Sequence, residues 1–340
     1  MTFSDRLVAA WYAPRLTMLT RFLVPFALVF ALATRVRRAL YQARALKTKR
    51  LPVKVIVVGN ITAGGSGKTP LAAALARALA ERGWRPGIVS RGHGREIRDH
   101  APLIVTPDTD AAVAGDEPLL LARAGFIVAV ARDRVAAGRA LIAAHPECDV
   151  IVADDGLQHY RLHRDVEIAV VDAARGLGNG WRLPAGPLRE ARSRLDEVDA
   201  IVALVTAGAP APWAAPNAYV MTLAGDVFHR VDGSVLTEPA SAFTGTGVHA
   251  IAGIGNPQRF FAYLASLGIR ATTHPFPDHH RFVPSDLALP GARAILMTEK
   301  DAVKCGVFAD PRCWYLPVRA HIDPALVERV EESLRGSEAA

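Results

Sequence analysis

Residues Thr62 to Thr69 read TAGGSGKT and follow directly on the apolar run Val53 to Val58. A strand, a glycine loop and a Lys-Thr pair can hold nucleotide phosphates. Glycines at 64, 65 and 67 let the backbone curl until successive N–H groups point at phosphate oxygens, and the following helix adds its positive end. Thr62, Ala63, Gly64, Gly65, Ser66, Gly67, Lys68 and Thr69 are therefore the candidate nucleotide-binding residues. Lys68 would reach the β- and γ-phosphates and the Thr69 hydroxyl would ligate Mg²⁺, so ATP and Mg²⁺ are the expected cofactors. Thr62 departs from the GxxxxGK[ST] pattern, standing where the first glycine belongs. Pro70 suits a first helical turn, and LAAALARALAERGW supplies a helical stretch ending at Gly83. A plain glycine turn between strand and helix would use the same residues without a ligand.

Carboxylates appear where such a site needs them. Asp154 and Asp155 end the strand-like CDVIVADD, and ligand sites in open α/β sheets gather at those strand ends. Both should face the glycine loop, to hold Mg²⁺ directly or through water, although paired Asp residues are also common in turns. Gly115-Asp116-Glu117-Pro118 sits at a loop-to-helix junction, where Asp can cap the helix or serve a catalytic loop. Asp278-His279-His280 lies between Pro277 and Pro284, and an Asp-His couple can act as a general base or simply be a surface loop. SRGHGR (90–95), ARDR (131–134) and LPAGPLRE (183–190) can bind anions through Arg91, Arg132, Arg134 and Arg189, each of which also suits a solvated or salt-bridged position.

The elements that must position these groups alternate. Strand-like runs at 53–58, 86–90, 127–131, 149–153, 167–171 and 200–205 are separated by helical runs such as 71–81, 118–123 and 134–144. That is the pattern of a parallel sheet covered by helices. The proline-rich AGAPAPWAAPN (207–217) breaks it, and Tyr219 to Thr237 reads as a short antiparallel pair turning near Asp232-Gly233. Strands at 249–253, 294–298 and 314–317 with a helix at 257–266 then begin a second α/β pattern. The expected organisation is α/β: an N-terminal segment (1–50), a P-loop NTPase-type parallel sheet domain (51–217), a short antiparallel linker (218–244) and a second, smaller α/β domain (245–340), hinged on the first.

The net charge of +7 belongs to one end of the chain. Residues 1–50 hold ten Lys and Arg against Asp5 alone, a net of +9, while the rest carries 30 basic and 32 acidic groups, a net of −2. The basicity is thus no sign of a nucleic-acid-binding body. The same segment contains FLVPFALVFALA (22–33), bounded by Arg21 and by Arg35, Arg37 and Arg38. As a helix this run is about 18 Å long, short of the roughly 30 Å hydrocarbon core. It reads as an anchor entering one leaflet, with its arginines on anionic headgroups. A full span with Arg21 snorkelling, a signal peptide and a buried core helix are the rival readings; arginines just beyond the run oppose translocation. Cys148, Cys305 and Cys313 form no CxxC pair, so neither a zinc site nor a disulfide framework is indicated.

Taken together, VGNITAGGSGKTP (58–70), SRGHGR, GDEP (115–118), ADDGLQHYRLHRDVEI (153–168), RLPAGPLRE, GIGNPQRF (253–260), FPDHH (276–280) and TEKDAVK (298–304) resemble the tetraacyldisaccharide 4'-kinase family, the lipid A 4'-kinases of Gram-negative bacteria. The strings run through nearly the whole chain in order. Thr62 resembles the family's own form of the loop, whereas Ala191 stands where the family suggests proline. The resemblance implies ATP-dependent phosphorylation of the 4'-hydroxyl of a lipid-linked glucosamine disaccharide 1-phosphate at the cytoplasmic face of the inner membrane. It implies Lys68 and Thr69 at the phosphates and Mg²⁺, and Asp116 with His279 as the couple that deprotonates the acceptor. It further implies Glu117 and Asp154 or Asp155 around the metal, and Arg189 and His159 as further active-site residues. An arginine, among Arg91, Arg132 and Arg189, would meet the 1-phosphate. Expected partners are the lipid-linked disaccharide and an anionic inner-membrane surface, with neither nucleic acid nor a protein partner. The alternative is a P-loop ATPase or GTPase switch acting on a protein, for which the chain lacks an obvious NKxD-type guanine signature.

Overall fold

The computed structural model describes residues 3–92, 101–206, 217–278 and 280–336. His93 to Arg95 of SRGHGR, residues 207–216 of the proline-rich break, and His279 lie outside them. Two helices, α1 (Phe3–Trp11) and α2 (Met18–Gln42), precede the first sheet. Then follow β1 (Lys54–Gly59), α3 (Lys68–Glu81), β2 (Pro86–Ser90), β3 (Leu103–Val105), α4 (Ala111–Ala114), α5 (Asp116–Arg123), β4 (Ile127–Val130), α6 (Arg134–Ala144), β5 (Val150–Asp154), β6 (Val166–Asp172), β7 (Ala200–Val205) and β8 (Ala218–Ala224). The chain passes to a second sheet with β9 (Val227–Arg230), β10 (Thr237–Pro239), β11 (Val248–Ala252), α7 (Pro257–Ser266), β12 (Thr272–Pro275), β13 (Ala294–Thr298), α8 (Glu299–Cys305) and β14 (Cys313–Leu316). It returns to the first with β15 (Arg319–Ile322) and α9 (Pro324–Gly336).

The first sheet has nine strands in the order β15-β8-β7-β6-β1-β5-β2-β4-β3, parallel from β8 to β4 and antiparallel at both edges. Runs such as VIVAD and AIVALV are buried throughout, as strands covered on both faces must be. Leu71, Leu75 and Leu79 recur every four residues on α3, so one stripe of the helix faces the sheet. Each is fully buried, contributing roughly 1.5 to 3 kcal/mol. Leu326, Val327, Val330 and Leu334 of α9 join the same core, and α6 helps to cover the opposite face.

The second sheet runs β10-β9-β14-β13-β11-β12. Strand pairing divides the chain less simply than the expected boundaries. β8, from the expected 218–244 linker, pairs parallel with β7, while the antiparallel partners are β9 and β10 of the other sheet. Residues 319–336, expected in the smaller unit, belong to the larger. Gly225 lies beside the returning strand so closely that a Cβ there would sit 2.2 Å from the Pro317 carbonyl oxygen. Two connections therefore pass side by side between the sheets, the second invisible to local periodicity.

The 12-residue apolar run is the middle of a longer helix: α2 has 25 residues and a mean hydropathy of 1.6 over its most apolar window. By length and composition it is able to cross a membrane. Only 11% of that window is buried, which excludes the core-helix reading.

Candidate active site

The phosphate loop is built by its neighbours. Asn60 Nδ2 donates to Thr62 Oγ1 at 3.2 Å and to Ser66 Oγ at 2.9 Å, bracing both ends of the loop from inside. Thr62 thus spends its hydroxyl on the brace, and its backbone needs no left-handed conformation. Gly67 does adopt one (φ 88°) and caps α3, so Lys68 and Thr69 open the helix. Residues 61–63 pair with 187–189: Ala63 N donates to Pro187 O and Arg189 N to Ile61 O, both at 2.7 Å. This short ladder fixes LPAGPLRE against the loop.

Thr69 Oγ1 lies 2.8 Å from Asp154 Oδ2 and 3.3 Å from Glu117 Oε2, joining the loop, the end of β5 and the start of α5 at one hydroxyl. Side chains alternate along a strand, but Asp155 turns into the left-handed region (φ 49°), a conformation costing about 1 kcal/mol that Asp tolerates better than most residues. Asp155 Oδ1 then reaches Lys68 Nζ at 3.7 Å and Arg189 Nη1 at 3.0 Å. Burial raises the pKa of Asp154, and the neighbouring Glu117 and Asp155 carboxylates raise it further against the pull of Lys68. Burial acts on Asp155 in the same sense, but Lys68, Arg189 and Arg134 overcome it and hold its pKa below the usual value. Asp154 Oδ1 is buried with no hydrogen-bond partner among the described residues. That orphaned oxygen, beside a hydroxyl and a second carboxylate, fits a small hard cation completed by phosphate and water. No cluster of three or more His, Cys, Asp or Glu suited to a metal occurs among the described residues.

The second sheet closes over this cradle. A Cβ at Gly255 would lie 2.7 Å from Gly65 N, so only glycine lets the two loops touch. Arg175 Nη1 donates to Gly255 O at 2.9 Å, and Arg259 Nη1 approaches Asp172 Oδ2 at 3.2 Å. A cavity of about 10 Å³ remains between Tyr12, the loop, Asp172 and Arg175, about one water's worth. At the other rim, Lys300 Nζ meets Glu117 Oε1 at 3.0 Å and Asp278 Oδ1 at 3.9 Å. Lys304 Nζ lies 3.5 Å from both Asp116 Oδ2 and Asp301 Oδ1. The capping role open to Asp116 falls away: Gly115 (φ 90°) is the cap and Asp116 is the first helical residue, turned toward α8. Its expected partner, His279, is outside the described residues, whereas Asp278 is in place.

Residues 19–335 match the tetraacyldisaccharide-1-P 4'-kinase family. The chain belongs to that family. A tetraacyldisaccharide 4'-kinase of Azoarcus sp. (strain BH72) is 54% identical over 314 residues, covering 92% of this chain and 91% of the relative. One of Chromobacterium violaceum is 48% identical over 332 residues, 96% of each chain. A crystal structure of the "apo" form of LpxK from Aquifex aeolicus in complex with ATP superposes with a TM-score of 0.77 at 29% identity, covering 93% of this chain and all of that one.

In this tetraacyldisaccharide 4'-kinase family member the anion-binding candidates divide. Arg189 joins the cradle through Asp155, and buried Arg134 donates to the Asp155 carbonyl oxygen at 3.0 Å. Arg91 and Arg132 are exposed on the rim. His159 Nε2 lies 3.4 Å from Asp133 Oδ1. Its pKa falls to about 4, chiefly through burial and secondarily through Arg134, against the opposing pull of Asp133. The folded protein therefore holds a neutral imidazole that the unfolded chain protonates near pH 6.5. The resulting stability is complete above that pH and is lost as pH falls toward about 4. His159→Gln, which cannot take the proton, should lose less melting temperature than wild type across that window; parallel losses would refute the assignment.

Several residues that touch the site went unread. Arg175, Asp172 and Tyr12 belong to no motif, and Glu190 ends RLPAGPLRE with no chemistry that its spacing alone assigns. Glu190 accepts from Gln158 Nε2 at 2.8 Å and from the Tyr160 hydroxyl, whose ring lies 5.8 Å from Tyr41 of α2. Arg182 donates to Thr34 Oγ1 at 3.0 Å, Arg38 pairs with Glu197, and Trp11 Nε1 donates to Pro184 O at 2.8 Å. The N-terminal helices are thus fastened to the segment that bears Arg189.

Proposed function

We propose that this chain, a phosphotransferase with an alcohol acceptor, moves the γ-phosphate of ATP to the 4'-hydroxyl of a tetraacyl glucosamine disaccharide 1-phosphate, forming lipid IVA in lipid A biosynthesis. The observation that carries the reading is the single Thr69 hydroxyl shared by Asp154 and Glu117, which brings three of the family's motifs to one point. Lys68 and the loop N–H groups hold the β- and γ-phosphates. Thr69, Asp154, Glu117 and Asp155 would hold Mg²⁺, which would neutralise phosphate charge when bound. Asp116 with His279 takes the proton of the 4'-hydroxyl. The new bond joins that oxygen to Pγ, the bond from Pγ to the bridging oxygen breaks, and ADP leaves. Arg189, His159, Arg91 and Arg132 face the acceptor, one arginine receiving its 1-phosphate. Contacts across the two sheets support treating them as lobes that part and close.

The same reading places the enzyme on the cytoplasmic face of the inner membrane. Phe22, Phe26, Leu28, Val29 and Leu32 of α2 are all more than half exposed, with Arg21, Arg35 and Arg37 beside them. Beyond Thr34 the helix is tied to the body, which leaves about 16 residues, or about 24 Å, on the N-terminal side of that tie and favours monotopic insertion. Labelled ATP and acyl disaccharide in detergent micelles test the activity, and the same substrate in anionic vesicles tests the anchor. Wild type should transfer phosphate in both. With Phe22, Phe26, Val29 and Leu32 all changed to Ser, vesicle activity should fall about tenfold or more while micelle activity is retained. No transfer by wild type would sink the kinase reading, and equal losses in both media would sink the anchor.

A further inference from the structure

We infer that Lys300 is a catalytic residue, whose ammonium, delivered by the second sheet, binds the transferring γ-phosphoryl group and stabilises its charge in the transition state. The inference rests on the kinase reading above. Lys300 is the second residue of α8, directly after β13 of the second sheet. Its Nζ is 3.0 Å from Glu117 Oε1, and the other oxygen of that carboxylate is 3.3 Å from Thr69 Oγ1. On its far side, 3.9 Å away, lies Asp278 of the acceptor-side FPDHH loop. The ammonium therefore sits between the group that faces the cation and the loop that faces the acceptor, which is where a phosphoryl group passes from donor to acceptor.

The placement is rigid. Thr298 caps α8 by accepting from Asp301 N at 3.2 Å and donates to Asp301 Oδ2 at 2.6 Å. Asp301 is wholly buried and also accepts from Gly253 N at 3.1 Å, tying α8 to the loop that covers Gly65. Lys304, one turn along α8, contacts Asp116. Lys68 belongs to the loop, and a second cation held by the other sheet would share the developing charge without reorganisation. Lys300 keeps its proton throughout: the Pγ bond to the ADP oxygen breaks, the Pγ bond to the acceptor oxygen forms, and the hydroxyl proton goes to the base. A simple clasp between lobes would use the same ion pair but would act on ATP retention, not on the rate of transfer.

Steady-state transfer and direct nucleotide binding, measured on full-length wild type, Lys300→Met and Lys300→Arg with ATP, Mg²⁺ and the disaccharide, separate the two roles. The expected result for Lys300→Met is a kcat lowered about 100-fold or more, with ATP affinity within about threefold of wild type, and partial recovery in Lys300→Arg. Melting temperatures close to wild type guard against misfolding, and Lys300→Gln replaces any variant that fails this check. Active wild type with Lys300→Met turning over within about threefold, or a loss confined to ATP affinity, overturns the assignment alone. Wild type without transfer overturns the kinase reading and this assignment with it.

Discussion

Asp116→Asn should lower kcat about a thousandfold while ATP affinity stays within about threefold, the pattern of a group that acts only as the acceptor hydroxyl loses its proton. Asn keeps the shape and one carbonyl oxygen but cannot take a proton. Asp116 is at the start of α5, next to Glu117, yet its carboxylate turns away from Thr69 toward Lys304 at 3.5 Å. On the proposed mechanism its neighbour would serve the phosphate side and Asp116 the acceptor side, the two carboxylates dividing the work across one peptide bond. Removing the charge leaves Lys304 with Asp301 as its remaining carboxylate in contact, so a modest fall in melting temperature is expected as well. Stopped-flow nucleotide binding and steady-state transfer decide it. If binding collapses while bound ATP is still turned over at the wild-type rate, Asp116 is not the base.

Much of this site was legible because its parts are local. A strand, a glycine loop and Lys68-Thr69 announce themselves within a dozen residues, and the strand ends place Asp154 beside them in any parallel sheet. Expected strands at 86–90, 200–205 and 294–298 and helices at 134–144 and 257–266 coincide with the observed elements, since each has a clean apolar period and turn residues at its ends. What stayed hidden is what depends on the return of the chain. Nothing local tells that β15 and α9 rejoin the first sheet, because their strand is four residues long and their register is set by Val220 to Ala224 a hundred residues away. Arg175 and Asp172 escaped for the same reason: their partners Gly255 and Arg259 arrive from the other sheet. Lys300 and Lys304 stood within a quoted string, one helical turn apart, but their targets are nearly two hundred residues upstream.

The geometry also joins the two readings that the sequence offered separately, an anchor and a phosphate loop. Tyr12 and Arg175 line the small cavity at the loop, with the guanidinium 5.0 Å from the ring, and Asn179 N donates to Trp11 O at 2.8 Å. The segment from Arg175 to Glu190 therefore touches the N-terminal helices along one side and the phosphate loop along the other. On the proposed function, an acceptor whose acyl chains remain in the bilayer would meet its phosphate donor at that seam, because the apolar helix α2 and the arginine beside Asp155 are held by the same stretch of chain.

Lys68→Ala is the second large effect, and it differs in kind from Asp116→Asn. Loss of the cation that spans the β- and γ-phosphates should lower kcat/KM for ATP at least about a thousandfold, through both affinity and rate. The fold should not follow. Lys68 Nζ is 3.7 Å from Asp155, a looser contact than the 3.0 Å to Arg189, and Arg134 also bears on the same carboxylate. Arg189 therefore still holds Asp155 when Lys68 is gone, and a stability change of about 1 kcal/mol or less is expected, as for a partly exposed pair. Activity and melting temperature together make the test: full loss of transfer with a nearly unchanged melting curve is the expected result. Unchanged transfer would remove the phosphate loop from the mechanism, and unfolding would mean that Lys68 is a structural counter-ion for Asp155 and not a ligand of ATP.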